Sequence, residues 1–295
     1  MKVSKEQPKI IVVGSSSVDL VLNTEKYVKP NQTILANKSE NFFGGKGANQ
    51  AVGTARLGAS VYFVGCVGMD PLGQQILRNL VEEGVNVGYV AETEDAPTGQ
   101  AYVMASSGVN TIVVVPAANH CLMPKHIDEV EKHIAQTDVV LLQLEIPLPT
   151  VEHTIKLAKK YGKKVGLYAA PAQRLSEEIL TKTDFILAKT DDIETIFGES
   201  QKEELLKRYP NQIFLRNDDF STSFFDGEQL QNFPLEMSEV MHKMGIGDAF
   251  VSGFTVAVCH GNSVEDAVKF GNKISQKVAE KRGSQTNLPR LEEVL

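Results

Sequence analysis

The sequence predicts an α/β fold: a three-layer sandwich around a mainly parallel sheet, with a small β-sheet lid. Three observations carry this reading. Short apolar runs at residues 10–13, 139–142 and 185–187 have the length and composition of strands buried on both faces. Segments with helical apolar spacing alternate with such runs, as βαβ units with right-handed crossovers require. Two stretches, about 20–43 and 99–115, have strand character with no helix between their strands, so they form a separate sheet.

Taken in order, residues 10–13 form a strand that opens at Gly14 into a serine cluster, with Asp19 just beyond it. Residues 20–43 are short, alternating and polar, with Pro30 and Asn31 as turn residues. After Gly44 come a helix at 48–57, a strand at 61–67 and a helix at 72–83 closed by Gly84. Beyond the second strand stretch lie a helix at 125–135, a strand at 139–142, a helix at 150–161 and a strand at 164–168. A strand at 185–187, a helix near 191–197, strands near 213–216 and 221–225, and long helices at 247–260 and 264–281 complete the chain. With no internal repeat or low-complexity linker, residues 1–295 read as one domain whose lid comes from two insertions. Such a lid would cover the strand ends where open α/β sheets bind ligands.

Composition narrows the function classes. A charged fraction of 23% is ordinary for a globular protein, and a net charge of −7 argues against nucleic acid or an anionic membrane as partner. A small molecule is favoured. Cys66, Cys121 and Cys259 are widely separated and form no CxxC pair, so neither a disulfide framework nor a zinc site is expected. The six histidines show no HExxH pattern, and His126 and His133 read as helix-face residues. Residues 10–13 are too short for a signal sequence or membrane span, and a cytoplasmic protein is expected.

Two constellations can carry chemistry. Gly44-Gly45-Lys46-Gly47-Ala48-Asn49-Gln50-Ala51 joins a strand to a helix; its glycines let a ligand approach the backbone, and Lys46 and Asn49 add donors for hydroxyl oxygens. It lacks the P-loop spacing, and a tight turn with a solvated lysine is the alternative. In Gly245-Ile246-Gly247-Asp248, flanking glycines free backbone N–H groups for an anion at a helix start. Asp248 can there accept the proton of an attacking hydroxyl, or it simply caps the helix. Asp19 and Glu145 follow apolar strands and can point into the same crevice, or face water.

These strings, with Gly68-Met69-Asp70-Pro71-Leu72-Gly73, Gln143-Leu144-Glu145, Ala170-Pro171-Ala172 and Gly283-Ser284-Gln285, resemble the ribokinase-like carbohydrate kinases, also called the phosphofructokinase B type. The resemblance covers nearly the whole chain. It implies transfer of the ATP γ-phosphate, with Mg²⁺, to a hydroxymethyl group of a pentose such as ribose, or to a nucleoside or another sugar. It also implies a homodimer formed through the lid. Ser17, Asp19, Gly45, Lys46, Asn49 and Glu145 are the implied sugar positions, Asp248 the general base, and Gly245, Ile246 and Gly247 the anion hole. Lys189, Arg216, Asp218, Ser221 and Asn272 fall at nucleotide positions, and Asp192 faces Mg²⁺ through water.

Several motifs depart from the family pattern. Ser17 stands where an asparagine is usual, and Lys189-Thr190-Asp191-Asp192 replaces Asn-x-x-Glu. Asp218-Asp219-Phe220-Ser221 replaces a G-x-x-G turn, and Tyr168-Ala169-Ala170-Pro171 replaces N-P-A-P. His242-Lys243 replaces an Asp-Thr pair associated with a monovalent cation, which puts that cation in doubt, and the Lys243 ammonium is expected to take over its charge. A sugar-binding homologue without catalysis is the remaining alternative.

Overall fold

A computed structural model describes residues 1–106, 109–235 and 242–295. Residues 107–108, inside the second predicted strand stretch, lie outside the described residues. The chain begins with β1 (Lys9–Val13), β2 (Ser17–Asn23), β3 (Lys38–Gly44), α1 (Lys46–Arg56), β4 (Ser60–Val64), β5 (Cys66–Gly68) and α2 (Pro71–Glu82). It continues with β6 (Ala91–Thr93), β7 (Gln100–Ser106), β8 (Val109–Val115), α3 (Pro124–Glu129), α4 (Glu131–Ile134), β9 (Val139–Gln143), α5 (Leu148–Lys160) and β10 (Lys164–Tyr168). Then follow α6 (Glu177–Lys182), β11 (Phe185–Lys189), α7 (Ile193–Phe197), α8 (Lys202–Arg208), β12 (Ile213–Arg216), β13 (Thr222–Phe225), β14 (Leu230–Phe233), α9 (Ile246–Cys259) and α10 (Val264–Ala279).

Among the described residues, an eight-stranded sheet runs in the order β14-β13-β12-β11-β10-β9-β1-β4, parallel from β12 through β4 and antiparallel at β13 and β14. Strand alternation sends successive residues to opposite cores. Ile10, Val12, Val139, Leu141 and Phe214 pack on the side of α1, α9 and α10. Ile11, Val13, Val140, Leu142 and Leu215 pack on the side of α5 to α8. Burial on both faces is why these strands read as continuous apolar runs. A second sheet, β3-β2-β7-β8, is built from the two predicted strand stretches, and β5 pairs with β6. Among the described residues no helix is long and apolar enough to cross a membrane.

The structure differs from the sequence reading at definable points. The predicted strand at 61–67 is two strands in different sheets, broken at Gly65, where a Cβ would lie 2.7 Å from the Phe63 ring. The predicted helix at 125–135 is two short helices meeting at Val130, whose φ of −98° and ψ of 4° leave the helical range. Asp19 lies within β2 rather than in a loop, because pairing with β3 already begins at Ser17. The antiparallel edge strand β14 and the short helices α6 and α8 had no counterpart in the predicted order.

Candidate active site

The carboxyl ends of β1, β9, β10, β11 and β12 deliver Ser15, Glu145, Tyr168, Lys189 and Arg216 to one end of the large sheet, where α/β sheets hold their ligands. The turn from β3 into α1 supplies Lys46 and Asn49, and β2 supplies Asp19.

The glycines of the string also pack against the protein's own backbone. A Cβ on Gly45, which has φ +85°, would lie 2.5 Å from Ser16 Cα; one on Gly47 would lie 2.7 Å from the Gly14 carbonyl carbon. The backbone approaching these glycines is the protein's own. Their effect is to seat α1 against the start of β2 and to fix Lys46. Its Nζ lies 3.6 Å from Glu145 Oε1, and its backbone N–H donates to Glu145 Oε2 at 3.2 Å. The Ser15 hydroxyl donates to the same oxygen at 2.5 Å. Lys46 is therefore paired rather than solvated. Burial pulls its pKa down, but the charges of Glu145, Tyr168 and Asp248 outweigh this and hold the ammonium well above the usual lysine range.

Asp19 is buried beside this pair, with Ser17 Oγ donating to its Oδ1 at 2.7 Å. Burial pushes its pKa up to about 6; the Ser17 bond opposes this, and Glu145 adds to it. Gly44 is needed here because a Cβ would lie 2.4 Å from the Asp19 carboxylate.

Asp248 is the third residue of α9 and 4% exposed. Its carboxylate does not cap the helix: Asn49 Nδ2 donates to Oδ2 at 2.9 Å, and Gln50 Nε2 donates to Oδ1 at 3.1 Å. Ser284 Oγ and Gln285 Nε2 in turn donate to Asn49 Oδ1, and Gln143 donates to Gln50 Oε1 at 2.7 Å. Burial raises the Asp248 pKa to about 6, against the lowering effects of Lys46 and the two amides. Such a carboxylate is ionised at neutral pH yet basic enough to take a proton. Gly245, with φ +78°, turns the chain into α9, and among the described residues no acceptor takes the N–H groups of Ile246, Gly247 or Asp248. That helix start suits an anion.

Ser17, Asp19, Gly45, Lys46, Asn49 and Glu145 thus gather with Asp248 and its helix start. Ser15, Gln50, Gln143 and Gln285, which hold that set in place, were missing from the candidates. Their signal lay in the quoted strings, where Ser15, Gln50, Gln143 and Gln285 adjoin or flank the named residues.

The nucleotide-side candidates are more dispersed. Phe220 N–H donates to Asn217 O at 2.9 Å and Phe220 has φ 62°, so the turn comprises Asn217, Asp218, Asp219 and Phe220, one residue earlier than the motif comparison implied. A bulky residue in this left-handed conformation costs about 1–2 kcal/mol. Asp218 is exposed, while Ser221 is held by Asp219 at 2.6 Å. Arg216 is interior: Nη1 donates to Phe220 O at 2.6 Å, Nη2 donates to Ser275 Oγ at 3.3 Å, and burial lowers its pKa to about 10. It braces the turn against α10. Asn272 donates to Phe233 O at 3.1 Å and accepts from Thr222 Oγ1 at 2.9 Å, beside a cleft of about 180 Å³ between Phe233, Pro234 and Lys269. Lys189 is exposed, and Asp192 precedes α7 half-buried. Lys243 Nζ stands 5.5 Å from the Phe220 ring centroid, and His242 N–H donates to Ala279 O at 2.9 Å.

Known proteins are similar to the chain over nearly its whole length. Residues 7–291 match the model of the pfkB family carbohydrate kinases. The chain is 33% identical to the ribokinase of Bacillus subtilis over 285 residues, covering 97% of each, and 30% identical to the deoxyribokinase of Salmonella typhi over 296 residues, covering 96% of each. The structure of Arabidopsis thaliana ribokinase complexed with ribose and ATP superposes with a TM-score of 0.88 at 28% identity, covering 98% of both chains. The chain accordingly belongs to the pfkB family of carbohydrate kinases.

Proposed function

We propose that this sugar kinase transfers the γ-phosphate of ATP to the hydroxymethyl group of a pentose, ribose first among them. The observation that carries the reading is the Asp248 carboxylate, fixed by Asn49 and Gln50 beside N–H groups of α9 that no acceptor takes among the described residues. Asp19, Lys46, Asn49 and Glu145 bind the sugar hydroxyls. Asp248 accepts the hydroxymethyl proton as that oxygen attacks the γ-phosphorus. The bond to the β,γ-bridging oxygen breaks, ADP leaves, and the N–H groups of Ile246, Gly247 and Asp248 hold the charge on the phosphoryl oxygens. The turn at 217–220 and the cleft beside Asn272 receive the nucleotide.

Among the described residues no group of three or more His, Cys, Asp or Glu side chains converges as a metal cage. Mg²⁺ in kinases keeps several waters and needs only one or two carboxylates besides the phosphates, and Asp192 at the start of α7 fits that demand. When bound, the ion neutralises charge on the β- and γ-phosphates.

The test is ADP release with Mg-ATP and a panel of ribose, 2-deoxyribose, other pentoses and nucleosides, run with and without K⁺. Ribose should give the highest kcat/KM, with equal rates in both salts because the Lys243 ammonium stands in for a monovalent cation. No ADP above an Asp248→Asn control would sink the kinase reading, and strong K⁺ activation would reject the role of Lys243.

The four-stranded sheet supports assembly of two copies. Ile112, Val113, Val114 and Val115 on its edge strand β8 are 42–60% exposed, so both faces of this apolar edge lie open. A second copy packed through these strands would cover it. Light scattering at micromolar protein should give twice the chain mass, and Val113→Lys with Ile112→Lys should give monomers.

A further inference from the structure

Tyr168 ends β10 at the centre of the site, where none of the roles above uses it. It is 8% exposed, and among the described residues its hydroxyl makes no hydrogen bond, yet its oxygen is not one of the fully buried polar atoms left without a partner. The hydroxyl is aimed at the start of α9: a Cβ on Gly247 would lie 2.3 Å from Tyr168 Oη. Gly247 thus leaves the hydroxyl room beside the N–H groups that no acceptor takes among the described residues. The ring is anchored from the other side, with Lys46 Nζ 5.5 Å from its centroid.

We infer that Tyr168 is a further catalytic residue of the phosphotransfer proposed above, its hydroxyl donating a hydrogen bond to a non-bridging oxygen of the phosphoryl group in transfer. The phenol keeps its proton throughout, while the hydroxymethyl proton goes to Asp248. Burial raises the Tyr168 pKa, against the opposing pull of Lys46, which keeps the hydroxyl a neutral donor. The position suits the phosphoryl group because the hydroxyl stands against the helix start at Gly247.

The assay is Tyr168→Phe, which retains the ring that Lys46 faces and removes only the oxygen. Its kcat should fall about 10²- to 10³-fold, the range for losing one donor to a developing anion. Calorimetry should show ribose affinity within twofold of the wild type, and affinity for the complex of ADP, aluminium fluoride and ribose should weaken by the same factor as kcat. A kcat within twofold of the wild type overturns the assignment. So does a loss seen in ribose affinity, whether from a sugar contact or from a disturbed fold. A wild-type enzyme that releases no ADP defeats the kinase reading itself; the ratio of variant to wild type addresses Tyr168 alone.

Discussion

Asp248→Asn is expected to lower kcat at least about 10³-fold while ribose affinity stays within a few-fold, because it removes a general base without removing a sugar contact. Calorimetry and ADP release measure the two halves separately. The wild-type kcat/KM should rise with pH through an acid limb near 6, where the Asp248 carboxyl ionises. Stability should move the opposite way. The folded state holds the Asp248 proton more tightly than the unfolded chain, with a pKa of about 6 against an ordinary 3.8. Stability from this group is therefore full below pH 4 and is lost as pH rises through 6. The loss is on the order of 3 kcal/mol. The asparagine variant has no such titration, so denaturant unfolding at pH 4 and pH 7.5 should show it gaining on the wild type by roughly that amount. A constant difference between the two pH values would contradict the buried, titrating carboxylate.

Lys46→Met should have the second largest effect. Lys46 pairs with Glu145, and its charge lowers the pKa of both Asp19 and Asp248. Without it, Glu145 keeps a poorly solvated charge and the variant should be about 2–4 kcal/mol less stable. The ribose KM should rise about 100-fold as a donor to sugar hydroxyls is lost. The acid limb of kcat/KM should shift above 6, since only the Asn49 and Gln50 amides then oppose the burial of Asp248. An unmoved acid limb with a raised KM would confine Lys46 to binding and separate it from the base.

The parts of this fold that were legible in the sequence are those whose cause is local. Strands β1, β9 and β11 show as apolar runs because both of their faces are covered, and Gly84 marks the end of α2 because the chain turns there with φ +80°. Strand β14 was not legible, since Leu230 and Asn232 are exposed or polar on an antiparallel edge and carry no apolar run. Asp19 was misplaced for a related reason: Ser17 and Asp19 are polar residues inside a strand, turned toward the site. What holds the site together is long-range. Asn49 meets Asp248 across 199 positions, and Gln50 meets Gln143 across 93. Spacing along the chain holds no trace of these pairs. The meaning of Tyr168 was equally hidden, because it depends on a glycine in a helix 79 positions away.

The contacts beneath the glycine string also bear on how the acceptor is chosen. Gly45 and Gly47 already touch Ser16 and Gly14, so the segment that carries Lys46 and Asn49 stands preorganised before any ligand arrives. A rigid receptor loses little conformational entropy on binding, and the ordering penalty falls on the flexible sugar alone. The same rigidity leaves no means of adapting to a ring with a misplaced hydroxyl. Discrimination among sugar acceptors then rests on fixed stereochemical fit, with each mismatched hydroxyl leaving a buried partner unsatisfied.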